Sequence, residues 1–301
     1  MGVVGESGKV VHWMTQPTPG SRESILQSIQ ALVGNGLDFC SASERDVAGV
    51  GISTGGQVSF KRGVIVSATS LIPDWSNVPL REMIGGKYNV PVYADNDGNC
   101  YAVAEKQFGK GRGLQNFIGV VLGTGIGGGI YVDGKPLRGA GNFAGEIGHV
   151  SVDANGPECS CGGRGCIELY ASGSGIARWA SETPALRHLA DSKGGLTSRI
   201  IGEASKAGDE AATALLKAAG GRLGLALAGM VNAFNPECII ISGSLLELGS
   251  PYIDEFKSTV FRRAMKANVI GLRIEHSDFP GEGGILGAAA LVFEESEGAA
   301  Q

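Results

Sequence analysis

Gly145-Glu146-Ile147-Gly148-His149 and, ten residues on, Cys159-Ser160-Cys161-Gly162-Gly163-Arg164-Gly165-Cys166-Ile167-Glu168 form the stretch from which the rest of the chain is read. One His and three Cys fall within eighteen positions. The glycines between the thiols allow the tight turns that four-coordination demands. Three thiolates and one imidazole make a tetrahedral zinc set with no open position, which points to a structural ion rather than a catalytic one. Glu146 and Glu168 bracket the four ligands, so a knuckle of this kind would hold polar groups rigidly toward a ligand. Ordinary thiols, or a disulfide between two of the three, are the alternatives. The sequence shows no secretory context to favour disulfides.

The start, Met1-Gly2-Val3-Val4-Gly5-Glu6, has neither the basic n-region nor the long apolar core of a signal peptide. Glu6 stands where a myristoylation signal needs Ser or Thr. No window approaches ~18 uncharged apolar residues, so no membrane span is expected and a reducing cytoplasm is the default setting. Cys40, Cys100 and Cys238 sit in apolar surroundings and read as buried free thiols. The net charge is −5, and its acidic and basic residues are scattered rather than blocked. That argues against a nucleic-acid surface, which needs a clustered basic face.

Outward from the knuckle, strands and helices alternate. Lys9 to Met14 reads as a strand, and Ser21 opens a helix with Ile25, Leu26, Ile29, Leu32 and Val33 at helical spacing. Val47–Ser53, Val90–Ala94, Phe117–Leu122 and Cys238–Ile241 read as strands. Asn99–Phe108, Ala211–Phe234 and Gly284–Glu294 read as helices, with Pro236 marking the exit of the second. Glycine, 50 of 301 residues, gathers at strand ends and is not periodic. Strands that end in glycine loops put ligand sites at the carboxyl ends of a sheet. Two such clusters predict two lobes.

Three segments carry chemistry. Gly123-Thr124-Gly125-Ile126-Gly127-Gly128-Gly129 follows a buried strand and has the spacing G-x-G-x-x-G. A dinucleotide site needs a helix next. Ile130-Tyr131-Val132-Asp133-Gly134-Lys135 reads instead as strand and turn. The segment is therefore expected to be a glycine hairpin whose N–H groups face nucleotide phosphates, with a plain β-turn cluster as the alternative. Asp95-Asn96-Asp97 stands where a strand gives way to a helix. A carboxylate there is either an N-cap or a base that accepts a hydroxyl proton during phosphoryl transfer. Gly243, after the strand Cys238–Ile241, is a third glycine loop, alone no better than a turn.

Together, Asp95-Asn96-Asp97-Gly98-Asn99, the Gly123–Gly129 run, Glu146-Ile147-Gly148-His149 and the cysteine motif through Glu168 resemble the ROK family of sugar kinases and sugar-responsive repressors. The resemblance implies an α/β fold of the actin-like ATPase (ribonuclease H-like) type, two lobes with a zinc knuckle. It implies an N-terminal lobe of residues 1–115 plus 284–301, and a C-terminal lobe of residues 116–283 with the zinc motif at 149–166. It implies that Asp97 deprotonates the sugar 6-hydroxyl. Gly56, Thr69, Asn96, Glu146, His149 and Glu168 would line the sugar, with Gln57 beside them. Gly123, Thr124, Gly125 and Gly243 would approach ATP. His149, Cys159, Cys161 and Cys166 would hold zinc, so His149 would serve metal and sugar, one ring nitrogen on each. ATP, Mg²⁺ and Zn²⁺ are the implied cofactors, a hexose or N-acylhexosamine the implied substrate, and a homodimer the implied assembly, with neither nucleic acid nor membrane as partner.

Within the family, the runs Gly51–Gly56, Asp95–Cys100, Gly156–Gly162 and Gly165–Gly173 are most similar to the N-acetylmannosamine kinases. N-acetylmannosamine is therefore the substrate expected first, with glucose or N-acetylglucosamine, or a non-catalytic sugar-binding role, as alternatives. Two departures qualify this. Gln57 stands where the animal N-acetylmannosamine kinase has Arg. The family's opening strand and Asp-x-Gly-x-Thr loop have no counterpart, since Met1–Gly5 aligns with the tail of the second strand. A sheet without its first strand leaves backbone groups unpaired, so a truncated, poorly stable chain, nearly inactive as a kinase, is expected.

Overall fold

In the computed structural model, residues 1–299 are described except 69–71, 73, 191–194 and 280. The chain divides into two compact units. The first comprises Met1–Gly113, Pro136–Gly145 and Asp278–Gln301; the second comprises Leu114–Lys135 and Glu146–Ser277.

The first unit opens with β1 (Gly2–Val4) and β2 (Val10–Trp13), an antiparallel pair. Helix α1 (Arg22–Ala42) begins where the sequence predicts, because the Ser21 hydroxyl accepts the Ser24 N–H and caps it. Then come β3 (Val50–Thr54), the hairpin β4 (Gln57–Ser59) and β5 (Val64–Ser67), α2 (Leu80–Tyr88), β6 (Val92–Asn96) and α3 (Asp97–Phe108). The chain's last helix, α9 (Gly283–Ala299), packs on α3 and β3 in the same unit. Strands β3 and β6 run parallel, Val50 opposite Val92 through Thr54 opposite Asn96. Their carboxyl ends therefore lie side by side, which brings Gly55-Gly56 to the start of α3. Among the described residues β3 pairs only with β6 and β1 only with β2. A cavity of about 590 Å³ is lined by β1, β3, α1 and α9, with Val3, Val33, Ile52 and Ile285 on its wall.

Gly51 sits where β3 meets α9. A Cβ there would come within 1.7 Å of the Ala288 carbonyl oxygen. Backbone cannot yield as a flexible side chain can. Gly51→Ala is accordingly expected to cost about 3 kcal/mol or more, the upper range for overpacking. A denaturant-unfolding midpoint unchanged from wild type would contradict that close approach.

The second unit holds a five-stranded sheet in the order β11-β10-β7-β8-β9. The strands are β7 (Phe117–Leu122), β8 (Ile126–Val132), β9 (Lys135–Pro136), β10 (Cys238–Ser242) and β11 (Arg273–His276). Strand β10 runs parallel to β7 and β11, and is buried at every position, as its unbroken apolar run requires. Strand β8 folds back antiparallel on β7. No helix follows the Gly123–Gly125 turn, which agrees with the rejection of a dinucleotide site. Helices α4 (Glu168–Ala171), α5 (Gly173–Glu182), α6 (Ser198–Lys206), α7 (Glu210–Phe234) and α8 (Ser250–Arg263) complete the unit. Among the described residues α7 alone is long and apolar enough to cross a membrane, a candidate the sequence reading did not raise. It is the unit's core helix: 61% of its most apolar window is buried, and α8 packs along it. Asn235, in the left-handed conformation, ends it ahead of Pro236.

Candidate active site and metal-ligating cluster

In the first unit, the three polar residues Asp95-Asn96-Asp97 take three different positions. The Asp95 carboxylate is fully buried. Its Oδ1 accepts from the Asn96 N–H (2.8 Å) and from Asn99 Nδ2 (3.1 Å), and its Oδ2 accepts from Arg138 Nε (3.0 Å). Asn96 is the cap: its Oδ1 accepts the Gly98 N–H at 2.9 Å, while its Nδ2 donates to the Gly56 carbonyl at 3.0 Å. Asp97 is exposed at the first position of α3, with Oδ1 3.0 Å from the Gly98 nitrogen. The positive end of the helix dipole favours an anion at that spot. The sequence left the cap unassigned among the three, and the structure gives it to Asn96.

The expected sugar-lining residues of this unit stay near one another. Gly56 is tied to Asn96 as described, and Gln57 is exposed and accepts the Ser67 hydroxyl through Oε1 at 2.9 Å. Thr69 lies outside the described residues. Below Asp97, burial and the neighbouring Asp95 push the Cys100 thiol well above its ordinary value, so it is an inert packing residue. Cys40, Cys100 and Cys238 are all buried, and none is in a disulfide.

In the second unit, His149, Cys159, Cys161 and Cys166 converge, their ligand atoms all within 4.8 Å of one another. Cys161 Sγ lies 3.6 Å from Cys166 Sγ, and Cys159 Sγ lies 3.7 Å from His149 Nδ1. Ligands at zinc's tetrahedral bond lengths stand about 3.5–3.8 Å apart, the spacing of these two pairs, and the four residues together could hold a metal ion. Bonded sulfurs would sit far closer, and all three thiols are free. Burial, with the two neighbouring thiols, pushes Cys166 up to about 12. The Gly163 N–H pulls Cys161 below its ordinary value. Three thiols this close resist ionising together, and a dication between them removes that penalty. Because Nδ1 faces the cluster, His149 would present Nε2 elsewhere.

The knuckle is stitched to the glycine hairpin. Glu168, two residues after Cys166, accepts the Ile126 N–H through Oε2 at 2.9 Å. Gly173 N–H donates to the Gly123 carbonyl (2.8 Å), and Ser174 donates to the Thr124 carbonyl from both its N–H (3.1 Å) and its hydroxyl (2.7 Å). Glu168, expected beside a sugar, thus also shapes the turn expected beside ATP. Gly243 holds φ +105°, and a Cβ there would stand 2.2 Å from the Leu122 carbonyl oxygen, so only glycine fits this approach to the end of β7. Glu146 and His149 are half-buried at the two ends of one short turn, the His149 N–H bonded to the Glu146 carbonyl. Sequence reasoning missed Arg138, Gly173 and Ser174. Only the Ser172-Gly173-Ser174 run, polar and small ahead of a helix, was a readable signal.

A two-lobe α/β fold with this strand-end site and glycine hairpin is that of the actin-like ATPases. Within it the chain belongs to the ROK family, whose model matches residues 1–295. It is similar to the glucokinase of Thermotoga maritima, 32% identical over 302 residues that cover 98% of this chain and 93% of that one. Among solved structures it is similar to a ROK family glucokinase from Streptomyces griseus in complex with glucose and AMPPNP. That structure is 32% identical with a TM-score of 0.80, covering 97% of this chain and 95% of the other. A putative N-acetylmannosamine kinase from Listeria monocytogenes matches at 25% identity with a TM-score of 0.81, covering 98% and 94%. The narrower likeness to N-acetylmannosamine kinases is therefore the weaker one, and the glucokinases stand nearer in sequence.

Proposed function

We propose that this ROK family member is an ATP-dependent sugar kinase that phosphorylates the 6-hydroxyl of a hexose, with glucose as the leading substrate. The observation that carries the reading is the end of β6. There an exposed carboxylate, Asp97, stands at a helix N-terminus whose cap is Asn96. Phosphoryl transfer asks the protein mainly for positioning and charge stabilisation, plus a group to take the hydroxyl proton. In this reading Asp97 accepts the proton from O6 as that oxygen bonds to the γ-phosphorus and the bond to ADP breaks. Asn96, Gly56, Glu146, Glu168 and His149 are the residues proposed to bind sugar hydroxyls, with Thr69 and Gln57 beside them. The backbone at Gly123, Thr124, Gly125 and Gly243 approaches the nucleotide. Mg²⁺ arrives with ATP as part of that substrate.

His149, Cys159, Cys161 and Cys166 would hold zinc. What a bound ion supplies is a fixed ring orientation for His149 and a fixed base for α4, where Glu168 begins. A cytoplasmic setting, where thiols stay reduced, suits such a cluster.

N-acetylmannosamine is the second reading, favoured by the runs Gly51–Gly56 and Asp95–Cys100. Gln57 in place of Arg weighs against it. A coupled ADP-release assay across glucose, mannose, N-acetylglucosamine and N-acetylmannosamine separates the two. Glucose is expected to give the highest kcat/KM. A lead for N-acetylmannosamine would move the assignment to the second reading. If no sugar stimulates ADP release, the kinase reading falls and a sugar-binding role takes its place.

A further inference from the structure

We propose that Arg138 and Asp95 form a positioning pair that fixes the first turn of α3 and thereby aims Asp97; this rests on the reading of Asp97 as the base. Arg138 belongs to Pro136–Gly145, a loop that joins the first unit although Arg138 lies 43 residues from Asp95 in the chain. Its side chain is 16% exposed, and its Nε meets Asp95 Oδ2 at 3.0 Å. The guanidinium carbon lies 3.8 Å from the centre of the Phe60 ring, and Nη2 lies 3.6 Å from Glu294 Oε2 on α9. One guanidinium thus touches β6, the β4–β5 hairpin and α9 together. Arginine's planar fork suits such simultaneous contacts, which a lysine ammonium cannot reproduce.

The other oxygen of Asp95 extends the linkage to either side of Asp97. Through Oδ1 it holds the Asn96 N–H before that residue and the Asn99 side chain after it. Asn96 passes the constraint to Gly98 as the cap and to Gly56 through its amide. Asp97 itself is exposed, so the position of its carboxylate depends on the turn that carries it. A buried carboxylate demands a cation or several donors. Asp95 has both: Arg138 is the cation, and the other two donors, the Asn96 N–H and the Asn99 side chain, flank that turn.

A pair that only stabilises the fold would change melting without changing the turnover of folded enzyme. A positioning pair changes kcat. Arg138→Met and Asp95→Asn are each expected to lower kcat ~10-fold to ~100-fold, the scale of loss for a base displaced by about 1 Å. KM for sugar and ATP should stay within ~3-fold. Arg138→Lys should recover kcat in part. In an Asp97→Asn background, Arg138→Met should lower kcat hardly further, because it acts through the carboxylate already removed. Asp95→Asn is nearly isosteric, and in the double Asp95→Asn/Arg138→Met variant neither member of the pair is left as a buried charge without the other. One of the two should therefore fold even if Arg138→Met does not. Near wild-type kcat in either of these folded variants overturns the pair's role. So does a full additive loss on top of Asp97→Asn. If Asp97→Asn alone retains wild-type turnover, it is the reading of the base that fails.

Discussion

Asp97→Asn is expected to lower kcat by ~10² or more while sugar affinity stays within several-fold. The substitution keeps shape and leaves one oxygen able to accept the Gly98 N–H, which lies 3.0 Å from Asp97 Oδ1. The cap is untouched, since Asn96 supplies it. What the amide loses is the capacity to take a proton. A general base contributes ~10² to ~10⁴ in rate, and removing it leaves the binding groups in place. The effect should therefore fall on kcat rather than on KM. Equilibrium binding of glucose by calorimetry, beside steady-state kinetics, makes the separation. Turnover near wild type would take Asp97 out of the chemistry. Loss of glucose binding along with turnover would make it a sugar-holding residue instead.

Much of this site was legible because its signals are local. The run Phe117–Leu122 is apolar throughout and ends in glycines, so strand β7 and its turn could be read together. The four metal-ligating residues share eighteen positions, and their residue types limit the chemistry. The helix predicted from Asn99 starts at Asp97, a small boundary shift, since a capped helix gains its first turn from the cap. Less was legible where the decisive contact is distant. Asp95, Asn96 and Asp97 are near-equivalent polar residues on paper. Burial and hydrogen bonding assign them to buried anchor, cap and exposed carboxylate, and the partner that explains Asp95 lies on a loop forty-odd residues away. The hairpin β4–β5 and the edge strand β11 escaped for another reason. Both are short, and β11 reads Arg-Ile-Glu-His, half-exposed and without a clear apolar run. Helices α5 and α6 lie among Gly, Ser and Thr that read as loop until the caps at Ser172 and Thr197 are seen. The likeness to N-acetylmannosamine kinases rested on short runs of near-identity. Such runs hold shared catalytic geometry, whereas sugar choice depends on side chains around it, such as Gln57.

One zinc per chain is expected in the purified protein, and Cys161→Ser is expected to lose it. Cys161 is the informative ligand. Cys159 and Cys166 are buried, so replacing either would disturb packing as well as coordination, whereas Cys161 is exposed. A loss on replacing it traces to the ligand set. The consequences should reach further than the knuckle. Cys166 is followed within two residues by Glu168, which holds the Ile126 N–H, and α4 leads directly to Gly173 and Ser174, which hold Gly123 and Thr124. His149 loses its fixed ring orientation at the same time. Residues that orient a metal site typically alter affinity or activity 10–100-fold, and here the dependence runs the other way, from ion to binding residues. Glucose affinity should fall at least ~10-fold in Cys161→Ser, and chelation of the wild-type protein should reproduce the loss and zinc should reverse it. Elemental analysis gives the stoichiometry, and calorimetry with glucose gives the affinity without any need for turnover. Protein free of zinc that binds glucose at full strength would reduce the cluster to a bystander. Zinc retained by Cys161→Ser would remove Cys161 from the ligand set.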